Sequence, residues 1–220
     1  MEESISENVR KIISSIPSNV TLEAAAKTRG PGEVRAAVEA GVGIIGENYL
    51  QEAEEIIHKL GSIARWHYIG HLQSRKIKRI VSLFDLIETV SSMRHAELID
   101  RYSGELEKKM PILVEVNSGR EEQKGGVHPD EAIDLVKDIS TLGGVRVDGL
   151  MTMGVFTSDD AVLGKCFGET KRLYDSLCKV ELPNVRMRYL SMGMSSSYRK
   201  AIEEGANLIR VGEAIFGPRP

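Results

Sequence analysis

Residues 185–212, Val-Arg-Met-Arg-Tyr-Leu-Ser-Met-Gly-Met-Ser-Ser-Ser-Tyr-Arg-Lys-Ala-Ile-Glu-Glu-Gly-Ala-Asn-Leu-Ile-Arg-Val-Gly, contain the unit from which the fold can be read. Residues 185–191 form a short apolar run ending in a Ser/Gly turn. A polar segment of helical spacing, 196–204, follows, and 208–212 is a second apolar run. A strand, a turn, a helix and another strand within 28 residues form a βα unit with the start of the next, and such a connection requires parallel strands.

The same alternation extends outward through the chain. Apolar or β-branched runs recur at 20–26, 42–46, 66–70, 84–90, 112–117 and 147–152, making eight with the two above. Charged segments of helical spacing lie between them at 31–40, 49–60, 93–108, 129–140 and 159–179, and another at 4–15 precedes the first run. Two hundred and twenty residues over eight units is about 27 each, close to the ~30 of a repeating βα unit. The pattern predicts an α/β fold, a (β/α)8 TIM barrel, with a doubly wound open sheet as the alternative. No Pro/Ser-rich linker or low-complexity tract divides the chain. The expected organisation is a single domain over 1–220, with 1–19 as an N-terminal helix before the first strand.

Composition narrows the function. With 29 Lys+Arg against 32 Asp+Glu the net charge is −3, without the basic excess that marks nucleic-acid binding. A hydrophobic fraction of 41% with 28% charged residues is that of a globular chain rather than a disordered one. One Trp, six Tyr and four Phe leave the core to Ile, Val, Leu, Ala and Met. No apolar run approaches the roughly 18–20 residues of a membrane helix, and the acidic start, Met-Glu-Glu-Ser-Ile-Ser-Glu, is not a signal peptide. Cys166 and Cys178 fall on one predicted helix, about 18 Å apart at ~1.5 Å per residue, too far for a disulfide. Free thiols suit a reducing cytoplasm.

In a barrel the chemistry belongs where the strands end and the βα loops collect. The residues there are Lys27-Thr28, Gly46-Glu47-Asn48, Gly70-His71, Asn117-Ser118, Met151-Thr152-Met153-Gly154, Ser191 to Ser197, and Arg210-Val211-Gly212. The Ser-x-Gly-x-Ser-Ser-Ser turn offers backbone N–H groups and hydroxyls to an anion, and with Gly212 it occupies the position where barrels hold phosphate. A Ser-rich helix start also serves as an ordinary N-cap. Lys27, after Leu22-Glu23-Ala24-Ala25-Ala26, either extends to solvent or sits in a desolvated pocket, where the neutral amine needed for a Schiff base is favoured. A phosphate cradle and such a lysine on one rim suggest a cofactor carrying both an aldehyde and a phosphate, pyridoxal 5′-phosphate (PLP). Arg210 interrupts the run Leu208-Ile209-Arg210-Val211 and needs a partner, either a carboxylate or a pyridine nitrogen. Facing an arginine, the ring nitrogen stays largely unprotonated, which argues against transaminase-like chemistry.

Seven segments then occur in order: Ala26-Lys27-Thr28; Ile45-Gly46-Glu47-Asn48-Tyr49; Trp66-His67-Tyr68-Ile69-Gly70-His71-Leu72-Gln73-Ser74; Val116-Asn117 with Glu122-Gln123-Lys124-Gly125-Gly126; Gly149-Leu150-Met151-Thr152-Met153; Leu190-Ser191-Met192-Gly193-Met194-Ser195; and Ile209-Arg210-Val211-Gly212 leading to Ile215-Phe216-Gly217. Over residues 20–219 the chain resembles the pyridoxal phosphate homeostasis protein family, whose fold is similar to the N-terminal barrel of alanine racemase. The resemblance implies a Schiff base on Lys27. It implies phosphate contacts from Ser191, Gly193, Met194, Ser195 and Gly212, Arg210 at the pyridine nitrogen, and Asn48 near the cofactor's rim. It also implies a PLP-binding protein of vitamin B6 balance without an established reaction, with apo-PLP enzymes as transient clients. Two positions depart from the family: Ala26 stands where serine is common, and Ser196-Ser197 where an acidic residue often follows the turn.

The remaining polar features carry less. His67 and His71 are four apart, but on a strand and without the glutamate of a helical zinc motif; no metal site is expected, and both are read as flanking the cofactor site. Arg75-Lys76-Ile77-Lys78-Arg79 reads as a solvated helix face, and Glu121-Glu122-Gln123-Lys124 as a loop charge cluster near the rim. The expected function is PLP binding in vitamin B6 homeostasis, without turnover. A PLP-dependent amino-acid racemase is the alternative, and a barrel for another phosphorylated ligand the third reading. Alanine racemases take a second acid/base from an added domain, and this sequence closes at Pro220, which favours binding over turnover. A monomer or weak homodimer is expected, without nucleic-acid or membrane partners.

Overall fold

The computed structural model describes residues 2–121 and 123–218. Eight strands form one closed parallel barrel in chain order: β1 (Thr21–Ala25), β2 (Ile44–Glu47), β3 (Arg65–Tyr68), β4 (Leu86–Val90), β5 (Met110–Glu115), β6 (Val145–Thr152), β7 (Val185–Met192) and β8 (Leu208–Val211). β8 closes on β1 with Glu23 opposite Arg210. The barrel, not the open sheet, is therefore the fold.

The outer ring comprises α1 (Glu2–Ser15), α2 (Pro31–Glu39), α3 (Leu50–Leu60), α4 (Ile77–Leu83), α5 (Met93–Glu105), α6 (Pro129–Ser140), α7 (Asp160–Leu177), α8 (Tyr198–Glu203) and α9 (Glu213–Phe216). Each long helix turns an apolar stripe to the strands, as Leu50, Ala53, Ile56 and Leu60 do on α3. The basic string predicted as one helix face is divided: Ser74–Lys76 is a 3-10 turn and α4 begins at Ile77. The short α9 follows Gly212 and was not anticipated. Asn8 on α1 donates to the Ile215 carbonyl on α9 at 3.0 Å, so the first and last helices close the ring together. Among the described residues no helix is long and apolar enough to cross a membrane. Cys166 is buried and Cys178 exposed, and both are free thiols.

Strand side chains alternate between the barrel interior and the helical layer. Ile44, Leu86 and Leu208 open their strands and pack with Leu113, Met151 and Tyr189 as the apolar part of the interior. Two residues further along β2, β4 and β8, on the same face, stand Gly46, Glu88 and Arg210. The interior thus changes from an apolar floor to a charged layer beneath the mouth.

Candidate functional site

On β1 the inward positions are Thr21, Glu23 and Ala25, and Lys27 continues that face at the mouth. The Lys27 Nζ lies 4.8 Å from the centre of the Tyr49 ring. Thr28, the next residue, has φ +65°, a left-handed conformation that is an outlier for a β-branched residue. Its N–H donates to Glu52 Oε2 at 3.0 Å, holding the bend that ends the strand at the lysine.

Asn48 follows β2, and its Nδ2 donates to the Ile69 carbonyl at 3.4 Å. The chain after β3 approaches so closely that a Cβ on Gly70 would lie 2.0 Å from the Asn48 carbonyl oxygen. Glycine is required there by contact alone.

Gly193 has φ +91° and lies against the first turn of α8, where a Cβ would meet the Tyr198 Cα at 2.7 Å. The turn it starts is closed by Met194, whose N–H donates to Ser197 Oγ at 3.1 Å and whose carbonyl accepts from Ser197 and Tyr198. Ser195 Oγ accepts from the N–H groups of Gly212 and Ala214, each at 3.2 Å. That oxygen is saturated as an acceptor, so the Ser195 hydroxyl is left to donate. Gly193, Met194, Ser195 and Gly212 are thereby brought together at the mouth over β7 and β8.

Ser191 differs from its predicted place in that turn. As an inward residue of β7 it is fully buried, and its hydroxyl donates to Glu88 Oε2 at 2.7 Å while accepting from Arg210 Nη1. The period-2 alternation of β7 turns the side chain into the barrel, away from the loop. Arg210 Nη2 donates to the Thr152 carbonyl at 2.7 Å, and Nη1 lies 3.7 Å from Glu88 Oε2. Of the two partners left open by the sequence, the carboxylate is present.

His67 is likewise not a flanking loop residue. It is a buried interior residue of β3, its Nδ1 3.0 Å from Glu23 Oε2 and 2.9 Å from Glu88 Oε1. Among the described residues, Glu23, His67 and Glu88 form a group whose ligand-capable atoms lie within 4.8 Å of one another. Burial, then the Glu88 charge, pushes the Glu23 carboxyl up to about 8. Burial would lower His67, but its two carboxylate partners outweigh this and raise it to about 9. Burial would raise Glu88, yet His67 and Arg210 hold it down at about 2. At neutral pH these shifts place a neutral Glu23, a cationic His67 and an anionic Glu88 beneath the Arg210 guanidinium. On the other face of β2, Glu47 is buried with neither carboxylate oxygen hydrogen-bonded, and burial, then the Glu52 charge, raises it to about 8.

Glu23 and Glu88 were missed as site residues. The signal was available: each interrupts an apolar strand, as Arg210 does, and a carboxylate on a strand buried on both faces needs a partner inside. His71 lies beyond this group. Glu122, part of the loop charge cluster and of one quoted segment, lies outside the described residues. A cleft lined by Gly43, Ile57, Gly61, Trp66 and Asp85 opens at the opposite face of the barrel, away from these groups.

Barrel and mouth define a class. The family model described as "Alanine racemase, N-terminal domain" matches residues 2–220. Relatives described as "Pyridoxal phosphate homeostasis protein" are similar over nearly the whole chain. That of Pasteurella multocida is 34% identical, covering 92% of this chain and 88% of its own. That of Schizosaccharomyces pombe is 36% identical, covering 92% and 85%. The chain belongs to the pyridoxal phosphate homeostasis protein family. Solved structures agree: PipY of Synechococcus elongatus PCC7942 with PLP bound is 32% identical, with TM-score 0.88 over 97% of this chain and 100% of that one. An alanine racemase of Clostridium difficile 630, 16% identical with TM-score 0.83, covers 99% of this chain but 57% of its own, and shows the fold alone.

Proposed function

We propose that this protein binds PLP at the barrel mouth and serves vitamin B6 homeostasis as a holder of the cofactor, without turnover of its own. The observation that carries the reading is the donor set on adjoining strands: an amine at Lys27 after β1, a guanidinium at Arg210 on β8, and between β7 and β8 a turn whose Ser195 hydroxyl is left to donate. The relatives' name, and a similar structure that holds PLP, support the same reading.

These residues fit the group. Lys27 would hold the aldehyde through Nζ, with Tyr49 beside it and Asn48 along the rim. Gly193, Met194, Ser195 and Gly212 would surround the phosphate. Arg210 would face the ring nitrogen, and Ser191 would act on it from below. When bound, PLP supplies an electrophilic carbonyl and a ring able to withdraw electrons. The chain's own contribution is to orient and retain it. Arg210 has no proton to accept, so it leaves the ring nitrogen largely unprotonated and the ring a weak electron sink.

The single domain spans 1–220 in this reading, works in the cytoplasm, where both thiols stay reduced, and is a monomer or weak homodimer with apo-PLP enzymes as transient clients. Purified protein is expected to be yellow, and borohydride to fix the cofactor to the peptide that contains Lys27. Label on another lysine, or a colourless protein after PLP addition, refutes the reading. Incubation with single-enantiomer amino acids in deuterated water tests the racemase alternative: steady α-deuterium incorporation with turnover would favour that instead.

A further inference from the structure

The charged layer under the mouth is larger than holding one arginine in a barrel requires. Arg210 has its acceptors in Ser191 and Thr152, yet three more ionisable groups converge below it from β1, β3 and β4. Glu88 is the centre: Oε2 takes the Ser191 hydroxyl and faces Arg210, while Oε1 takes His67. Glu23 reaches the same imidazole nitrogen from the opposite wall. Gly46 makes room for it, since a Cβ there would lie 2.1 Å from Glu23 Oε1.

We propose that Glu23, His67 and Glu88 are positioning residues: Glu23 holds the His67 ring, His67 clamps the Glu88 carboxylate, and Glu88, through Ser191, fixes the direction in which Arg210 presents its guanidinium to the mouth. An arginine side chain has four rotatable bonds and a fork of five donors, so its direction is set only by acceptors that cannot themselves move. The Thr152 backbone carbonyl holds Nη2, but one anchor leaves the guanidinium free to swing about it, and the second, Ser191, is not fixed by itself, because a hydroxyl rotates. Its proton is committed to Glu88, which leaves the oxygen lone pairs toward Arg210. Glu88 in turn cannot rotate, because His67 and Ser191 take its two oxygens.

The charges require the cluster to act as a unit. A buried Glu88 anion beside a neutral imidazole and an ionised Glu23 would place two carboxylates together without a cation between them. The groups facing His67 and Arg210 are Glu23, Glu88, Glu115 on β5, whose ionisation burial opposes and Arg210 favours, and the Tyr189 ring, 6.3 Å from the imidazole. Protons on Glu23 and His67 leave one fixed anion, Glu88, between two cations. A divalent cation on the same three side chains would have to displace those protons and lie near Arg210.

The consequence for cofactor binding rests on the PLP reading above; the arrangement itself is tested in cofactor-free protein. In 15N-histidine NMR of that protein, the His67 ring is expected to stay protonated through neutral pH and to titrate near 9. Glu88→Gln is expected to return the midpoint toward the ordinary histidine value. Glu23→Gln, whose amide oxygen can still accept from His67, is expected to keep His67 protonated at pH 7. With PLP added, Glu88→Gln should raise the Kd about tenfold or more, the effect of losing a buried charged hydrogen bond, and shift the absorption band of the bound cofactor. A wild-type His67 that is neutral at pH 7, or a stoichiometric first-row divalent metal lost on Glu88→Gln, overturns the proposal. So does a Glu88→Gln protein that binds PLP with unchanged affinity and spectrum. A neutral wild-type His67 overturns the proposal even if Glu88→Gln does not fold. Failure of PLP to bind at all refutes the cofactor reading while leaving the His67 titration to judge the cluster.

Discussion

Gly46→Ala tests whether Glu23 is held as tightly as the distances indicate. The new methyl would lie 2.1 Å from Glu23 Oε1 and 2.9 Å from Ile69 Cδ1. The Ile69 methyl is the end of a side chain and can move. To reach 3.4 Å, the edge of ordinary contact, Oε1 must retreat by about 1.3 Å. Its partner oxygen is 3.0 Å from His67 Nδ1, so a movement of that size breaks the hydrogen bond. Overpacking costs about 1–3 kcal/mol and a lost hydrogen bond to a charged group about 1.5–3 kcal/mol. The smaller entropy of the unfolded alanine chain offsets about 0.4–1 kcal/mol. The expected net loss is about 3 kcal/mol, or a Tm lower by about 6–12 °C for a chain of this size. Urea unfolding of Gly46→Ala, Glu23→Ala and the double variant completes a cycle. Once Glu23 is truncated, two of the three nearest contacts of the added methyl are gone and the movable Ile69 methyl is left, so its cost should fall below about 1 kcal/mol, a coupling of about 2 kcal/mol. Equal costs in the two backgrounds would refute the argument, because Gly46 would then matter for a reason other than Glu23.

Stability should fall as pH rises through the neutral range. Glu23 and Glu47 bind protons up to about 8 in the fold against 4.5 unfolded, and His67 up to about 9 against 6.5. The native state therefore holds more protons than the unfolded chain, and stability drains as these leave. For Glu47 alone this is about 5 kcal/mol between pH 4.5 and 8, so thermal melts at pH 6 and pH 9 should differ, and Glu47→Gln should flatten the slope; a Tm that rises with pH contradicts the assignment. Glu88 has the opposite sign, and its contribution disappears as pH drops from 4.5 toward 2. Ser195→Ala removes the acceptor of two backbone N–H groups and should cost about 1–3 kcal/mol, with PLP affinity down about tenfold by equilibrium dialysis; unchanged affinity would remove Ser195 from the phosphate site. Gly70→Ala places a methyl 2.0 Å from the Asn48 carbonyl, and the rim should shift enough to cost about 1–3 kcal/mol in urea unfolding.

The barrel was legible because its signal repeats. Eight apolar runs, each separated from the next by enough chain for a helix, set the element order even though their spacing varies. Lys27, Ser195 and Arg210 were visible because each is the wrong residue for its surroundings: a cation after an apolar strand, a hydroxyl run in a turn, an arginine within an aliphatic run. Glu23 and Glu88 violate the same rule, but their partners lie 44 and 21 residues from them at His67, and no local pattern joins β1, β3 and β4 across a barrel interior. Ser191 was placed in the turn because sequence adjacency to Gly193 suggested it; pleat alternation, decided by the register of β7, turned it inward. The helix at Glu213–Phe216 is only four residues long and leaves no periodicity to detect.

The bond from Asn8 to Ile215 joins residues 207 positions apart, which gives biosynthesis a particular order of events. The apolar stripe of α1, formed by Ile5, Val9 and Ile12, leaves the ribosome about 200 residues before the α9 surface it is bonded to. At about 5–20 residues per second the stripe waits roughly 10–40 s for that partner. A nascent chain that stalls before β8 would therefore present an unpaired β1 edge and an α1 helix packed on α2 but still open on its α9 side, features by which incomplete chains aggregate or recruit chaperones.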